Sequence, residues 1–99
     1  MKPSPYVNIN SVNTLMCQLR ESIRRVDTVI IEQLAQREQL SKQIGQLKLQ
    51  AGIEITDLVQ EKKMFLFYKD LCEKNNISKN FIMKLFKRII MHSRNVQSL

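Results

Sequence analysis

Counting alternately three and four residues through the first half of the chain lands on Met16, Leu19, Ile23, Val26, Ile30, Gln33, Arg37, Leu40, Ile44 and Leu47. Eight of these ten are apolar, the spacing of one buried stripe on a single long helix. Asn13 is the expected N-cap, the helix is expected to run to about Gln50, and Gly52 stands where a left-handed C-terminal stop belongs. Thr56 or Asp57 is placed to cap a second helix through about Lys74. Asn75-Asn76 interrupts it, and Ser78 caps a third helix that reaches nearly to the last residue. Residues 1–12, with two prolines and several Asn and Ser, read as a flexible leader, which leaves 13–99 as a single helical domain. There is no sustained alternation of period two and no Asn-Gly or Asp-Gly hairpin pair, so the expected fold class is all-α.

Length turns this pattern into a problem of cover. At about 1.5 Å per residue the first helix is roughly 55 Å long, and the other two are each under about 30 Å. A compact monomer of this size would be only some 35 Å across, judged from its expected radius of gyration, and could not enclose such a stripe. An intertwined dimer, in which a second copy covers the stripe, is the economical solution.

The exceptions to the pattern carry the chemistry. The same count on the second helix gives Leu58, Glu61, Phe65, Tyr68 and Cys72; on the third it gives Ile82, Phe86, Ile89 and then Ser93, with Gln97 a turn further. On the first helix, Arg37, Ser41, Ile44 and Lys48 fall within about 40° of one line, and Arg37 and Lys48 are roughly 16 Å apart along the axis. Two long cationic side chains leaning together leave a gap the size of a small organic anion. Glu61 can neutralise one of them at most, and an unpaired buried cation is costly, so a negatively charged ligand is the expected partner for the rest. The other reading is an ordinary helical bundle in which Arg37 snorkels or is salt-bridged, and a Ser or Gln near a helix end is merely solvated. Periodicity alone ranks that bundle first; polar exceptions on all three helices together shift the balance to a ligand site.

Composition narrows the partners. Sixteen Lys and Arg against nine Asp and Glu give a formal charge of +7, which favours an anionic partner. Clusters such as Arg24-Arg25, Lys62-Lys63 and Lys84-Lys87-Arg88 suggest a nucleic-acid-binding dimer, but they sit on separate helices without a helix-turn-helix signature, so a solvated basic face is the expectation. No apolar run is long enough to span a bilayer, and the opening MKPSPYVNIN lacks a signal-peptide core, so the expected compartment is the cytoplasm. Cys17 and Cys72 are isolated and His92 is the only histidine, so two buried reduced thiols are expected rather than a metal site or disulfide framework.

The segments LRESIRRVD, QREQLSKQIGQLK, TDLVQEK and HSRNVQ resemble the all-helical class of chorismate mutase, over roughly residues 15–98. The resemblance rests on an ordered set: Arg20, Arg37, Lys48, Asp57, Glu61, Ser93 and Gln97, separated by sixteen, ten, eight, three, thirty-one and three residues. It implies an intertwined homodimer of three-helix chains with two active sites, converting chorismate to prephenate on the branch toward phenylalanine and tyrosine. It further implies that Arg37 pairs with one substrate carboxylate. Arg20, reaching in from the partner chain, would hold the other with help from Ser93. Lys48 and Gln97 would donate to the ether oxygen, and Glu61 would accept from the ring hydroxyl, helped by backbone near Asp57. The reaction is a pericyclic rearrangement, so it calls for no nucleophile, proton carrier, metal or cofactor.

Several positions depart from the family pattern or extend it. Where family members usually carry Arg before the second-helix glutamate, this chain has Gln60, which removes a cation beside a dianionic substrate and leaves room for slower turnover or an altered substrate. Arg24 stands where Asp is common and reads as a surface change. Ser41 is expected to face the dimer seam rather than the pocket. Gly45, which costs about 1 kcal/mol relative to Ala in mid-helix, is expected to mark a close helix–helix approach. Isochorismate pyruvate-lyases and aminodeoxychorismate mutases share the fold and its cationic residues, and Ser93 with Glu61 and Gln97 fits the ordinary mutase best. A catalytically faded scaffolding dimer is the remaining alternative. Since the chain ends two residues after Gln97, a monofunctional enzyme is expected.

Overall fold

A computed structural model describes residues 8–98, and among them only helices and short connections occur. The elements in chain order are α1 (Ile9–Ala51), α2 (Leu58–Asn75) and α3 (Lys79–Gln97). Helix α1 begins earlier than Asn13: the Asn8 side chain accepts from the Asn10 N–H at 2.8 Å, and the Val12 N–H bonds to the Asn8 carbonyl. Asn8 takes the capping role expected of Asn13, five residues earlier, and no residue from Ile9 to Asn13 breaks the helix. The leader expected over 1–12 lies, through residue 7, outside the described residues.

The two connections end and restart helices by defined chemistry. Gly52 takes the left-handed conformation at φ 66°. The Ile53 N–H then reaches back to the Lys48 carbonyl at 2.8 Å and the Gly52 N–H to the Leu49 carbonyl at 3.3 Å, the paired bonds of a Schellman stop. Asp57, rather than Thr56, caps α2 by accepting from the Gln60 N–H at 3.0 Å. At the other end of α2, Asn76 adopts φ 52° and repeats the stop, with the Ile77 N–H on the Cys72 carbonyl at 3.1 Å. Ser78 opens α3 by accepting from the Phe81 N–H at 3.2 Å.

The chain divides into two units, Met1–Gln36 and Arg37–Leu99. In the first, no described residue is buried, and Leu19, Ile23, Val26 and Ile30 of the apolar stripe are all exposed. Cys17, expected to be a buried thiol, is exposed here with the rest of its stretch; it and the buried Cys72 are both free.

The second unit packs the last part of α1, α2 and α3 around a small core of Tyr68, Cys72, Ile90 and Val96. Tyr68 stacks against Phe86 across α2 and α3, ring centroids 4.0 Å apart, while Phe65 meets it edge-on at 5.9 Å. Within this unit the inward face of α1 is not the expected Leu40–Ile44–Leu47 stripe, whose members are exposed. It is the neighbouring line of Arg37, Ser41, Gly45 and Lys48, with Ser41 and Gly45 buried and the two cations half-buried. Small residues on that line let the helices close together. A Cβ on Gly45 would stand 2.7 Å from both the Cα and the carbonyl oxygen of Gln97, so the close approach expected at this glycine is its crossing with the end of α3.

Candidate active site

All three helical segments of the Arg37–Leu99 unit contribute to one cavity of about 590 Å³. From α1 it receives Arg37, Ser41, Ile44 and Lys48; from the connection and α2, Ile55, Asp57, Gln60, Glu61, Met64, Phe67 and Tyr68; from α3, Ile90, Ser93, Arg94 and Gln97. The helical period explains the assembly, since Arg37, Ser41 and Lys48, like Ser93 and Gln97, recur at three- and four-residue steps that share a face. Seven of the eight residues singled out from sequence line this cavity: Arg37, Lys48, Asp57, Gln60, Glu61, Ser93 and Gln97. The eighth, Arg20, belongs to the Met1–Gln36 unit, where it is exposed.

The cations in the cavity differ in what holds them. The Arg37 guanidinium donates to the Ser93 hydroxyl, which in turn donates to the Ile89 carbonyl at 3.0 Å. Lys48 donates from Nζ to the Ile55 carbonyl at 2.5 Å and to Oε1 of Gln97 at 3.0 Å. An ammonium cannot accept, so Lys48 fixes the carbonyl end of the Gln97 amide toward itself and leaves the NH₂ end as the donor for anything else. The Schellman stop holds the Lys48 carbonyl as well, so the residue is fixed both at its backbone and at its charge. Both Arg37 and Lys48 thus meet neutral oxygens only, and both keep an uncompensated charge.

Glu61 neutralises neither of them. Its two carboxylate oxygens are both taken by Arg94: Nε donates to Oε2 at 2.9 Å, and a terminal nitrogen donates to Oε1. This fork-to-fork pair joins α3 to α2 and holds the Arg94 guanidinium above its usual range, chiefly through the hydrogen bond to Glu61. Asp57 spends its side chain on the cap of α2. The cavity therefore holds three cations against two carboxylates, and both carboxylates are already engaged.

Two lining residues depart from the reading of the sequence. Ser41, expected at a seam between copies, is only 6% exposed and lines the cavity, because the inward line of α1 is shifted from its apolar stripe. Arg94 was not singled out at all. Its signal was the four-residue step from Ile90, which puts it on the buried side of α3. Among the described residues no group of three or more His, Cys, Asp or Glu could hold a metal ion, and no helix is long and apolar enough to cross a membrane.

Residues 19–98 match the family model described as chorismate mutase type II. The chain is 30% identical over 82 residues to a protein named chorismate mutase from Methanocaldococcus jannaschii, covering 83% of each. It is also 34% identical over 83 residues to a bifunctional chorismate mutase/prephenate dehydratase from Buchnera aphidicola subsp. Schizaphis graminum, and 33% identical over 81 residues to its counterpart from Buchnera aphidicola subsp. Acyrthosiphon pisum. The chain spans 21% of each bifunctional relative.

Proposed function

The chain belongs to the chorismate mutase type II family, and from that premise we propose that its cavity rearranges chorismate to prephenate. The observation that carries the reading is the pair Arg37 and Lys48, two charged groups that line one cavity and have only neutral partners. A small dianion supplies the missing charge.

Bringing the enolpyruvyl arm over the ring is the first demand of the reaction, because the flexible substrate must be held in a near-attack shape. Arg37 grips one carboxylate. Arg20 of the partner subunit grips the other, assisted by Ser93 when its hydroxyl turns from the Ile89 carbonyl to the ligand. The second demand is charge: as the C–O bond breaks, negative charge grows on the ether oxygen. Lys48 and the NH₂ end of Gln97 meet it, and their mutual hydrogen bond aligns them before substrate arrives. Glu61 accepts from the ring hydroxyl, beside backbone at the Asp57 cap. No step transfers a proton to or from the protein. Gln60 contributes an amide where most of the family has a cation, so the site depends more heavily on Arg37, Lys48 and Arg20 of the partner subunit for its hold on the dianion.

The same reading requires a homodimer. The exposed stripe of Leu19, Ile23, Val26 and Ile30 gains roughly 1.5–3 kcal/mol per side chain when a second copy covers it. Such a copy would carry its own Arg20 to the neighbouring cavity. The two free thiols suit a reducing compartment, and we place the enzyme in the cytoplasm.

The test is direct. Purified protein should deplete chorismate and yield prephenate as the identified product. Isochorismate and the amino analogue should react far more slowly in parallel. Preference for either analogue would reassign the substrate, and inertness toward all three would leave a binding protein.

A further inference from the structure

Arg94 occupies an unusual place in this cavity. It is the one lining cation that a carboxylate neutralises, and the carboxylate is the only one there not committed to a helix cap. Glu61 is 17% exposed at its side chain and Arg94 36%, so the pair sits at the cavity wall rather than in open water. A half-buried carboxylate seeks a cation, and two unneutralised cations, Arg37 and Lys48, line the same cavity. If Glu61 turned to either, the site would lose the charge with which it attracts a dianion.

We propose that Arg94 is a positioning residue that reserves Arg37 and Lys48 for the ligand, by binding both oxygens of Glu61 and holding that carboxylate as a fixed acceptor at the wall. The geometry fits this role. A planar guanidinium satisfies both oxygens in one orientation, which a single ammonium cannot do. Each carboxylate oxygen retains a further acceptor direction, so Glu61 can still meet a ligand hydroxyl. Arg94 follows Ser93 directly, so the turn of α3 that gives Arg37 its neutral partner also delivers the cation that restrains Glu61. The inference rests on the proposed mutase reading and deepens it, by giving Arg94 a role in the cavity other than that of a substrate clamp.

The test is a set of five chains assayed for KM and kcat separately: wild type, Arg94→Met, Arg94→Lys, Glu61→Gln, and the double variant Arg94→Met with Glu61→Gln. Arg94→Met should raise KM about tenfold, the size of coupling typical of neighbouring charged groups, as the freed Glu61 competes with substrate for Lys48 and Arg37. Adding Glu61→Gln should bring KM back down to that of Glu61→Gln alone, because the competitor has been neutralised. Arg94→Lys should fall between Arg94→Met and wild type. A merely structural Arg94 would lower melting temperature and give no KM rescue in the double variant, and that outcome overturns the proposal.

The crystal structure of unliganded Arg94→Met decides the matter without turnover. Glu61 bonded to Lys48 or Arg37 supports the reservation, and Glu61 left where it stands overturns it. Absence of chorismate turnover in the wild type would defeat the functional reading alone, since the crystal structure still answers for Arg94.

Discussion

The stretch from Asn8 to Gln36 and the unit from Arg37 onward are built from the same kind of helix, yet they spend their side chains in opposite ways. In the first, the apolar stripe is regular and entirely uncovered. In the second, the inward line of α1 is small and charged, and it is covered by α2 and α3. Regular apolar spacing thus leaves an uncovered face in the first region, and its interruption coincides with the line that borders the cavity in the second. A stripe of this kind stabilises only when packed, because most helical stability in proteins comes from burial of one face. A cation on an inward line persists only if something charged or polar meets it.

The largest effect should come from the second region. Lys48→Ala should cost about 2.7–4 kcal/mol of barrier, on the scale of other preorganised donors, while the variant still melts cooperatively. Steady-state kinetics with a thermal melt on the same sample would check both halves; full activity would break the contrast, by making the inward charge ornamental. Placing Ile23→Asp and Ile30→Asp together on the stripe of the first region should drive the protein to monomers in sedimentation and lower turnover with them. A dimer that survived both carboxylates would mean that this stripe is not the covered face.

Gly45→Ala sharpens the comparison at a single methyl group. Alanine favours the helix by about 1 kcal/mol over glycine. Opposing this, the new Cβ meets the Gln97 backbone, a kind of overpacking that costs typically about 1–3 kcal/mol. Because the contact is with backbone, the cost should outweigh the gain and lower stability by up to about 2 kcal/mol. In addition, kcat should drop by up to about a hundredfold, since displacement of a positioned group by about 1 Å has that reach. The smallest effect should be Lys79→Ala, which removes the exposed pair with Glu73 at 2.7 Å beside the α2–α3 turn. The hydrogen bond from Lys79 holds the Glu73 carboxyl below its ordinary value. Its contribution is thus present above the usual carboxylate range and fades as pH falls through the lowered value, and salt should erase it at any pH. Melts of both chains at pH 7 and in acid, at low and high salt, would check this.

Much of this architecture was legible in the residues. Gly52, Asp57, Asn75-Asn76 and Ser78 are local devices whose chemistry acts over a few positions, so the sequence alone locates the helix ends they define. Arg37, Glu61, Ser93 and Gln97 stand out as polar groups where apolar stripes would continue, and Lys48 by sharing one line with Arg37. What escaped depends on how the helices turn toward one another. Whether the line of Arg37, Ser41 and Lys48 or the apolar line beside it turns inward depends on how α2 and α3 pack on α1, which no single-helix pattern fixes. Ser41 is on the right line in the sequence, but the choice between pocket and seam depends on that packing. Arg94 escaped because its importance lies in a partner thirty-three residues earlier, on another helix. Asn8 was passed over because Asn13 offers an equally good cap and nothing local distinguishes them.

The measurement that bears most directly on the two regions is a mixed-dimer experiment with Arg20→Ala and Lys48→Ala, each inactive as a homodimer. Coexpressed, they should recover roughly a quarter of wild-type turnover if copies assort at random, because half the dimers then hold one intact cavity supplied with an intact Arg20 from the other copy. Dimers that mix yet remain as inactive as the two parents would contradict the claim that one copy's uncovered helix completes the other's site.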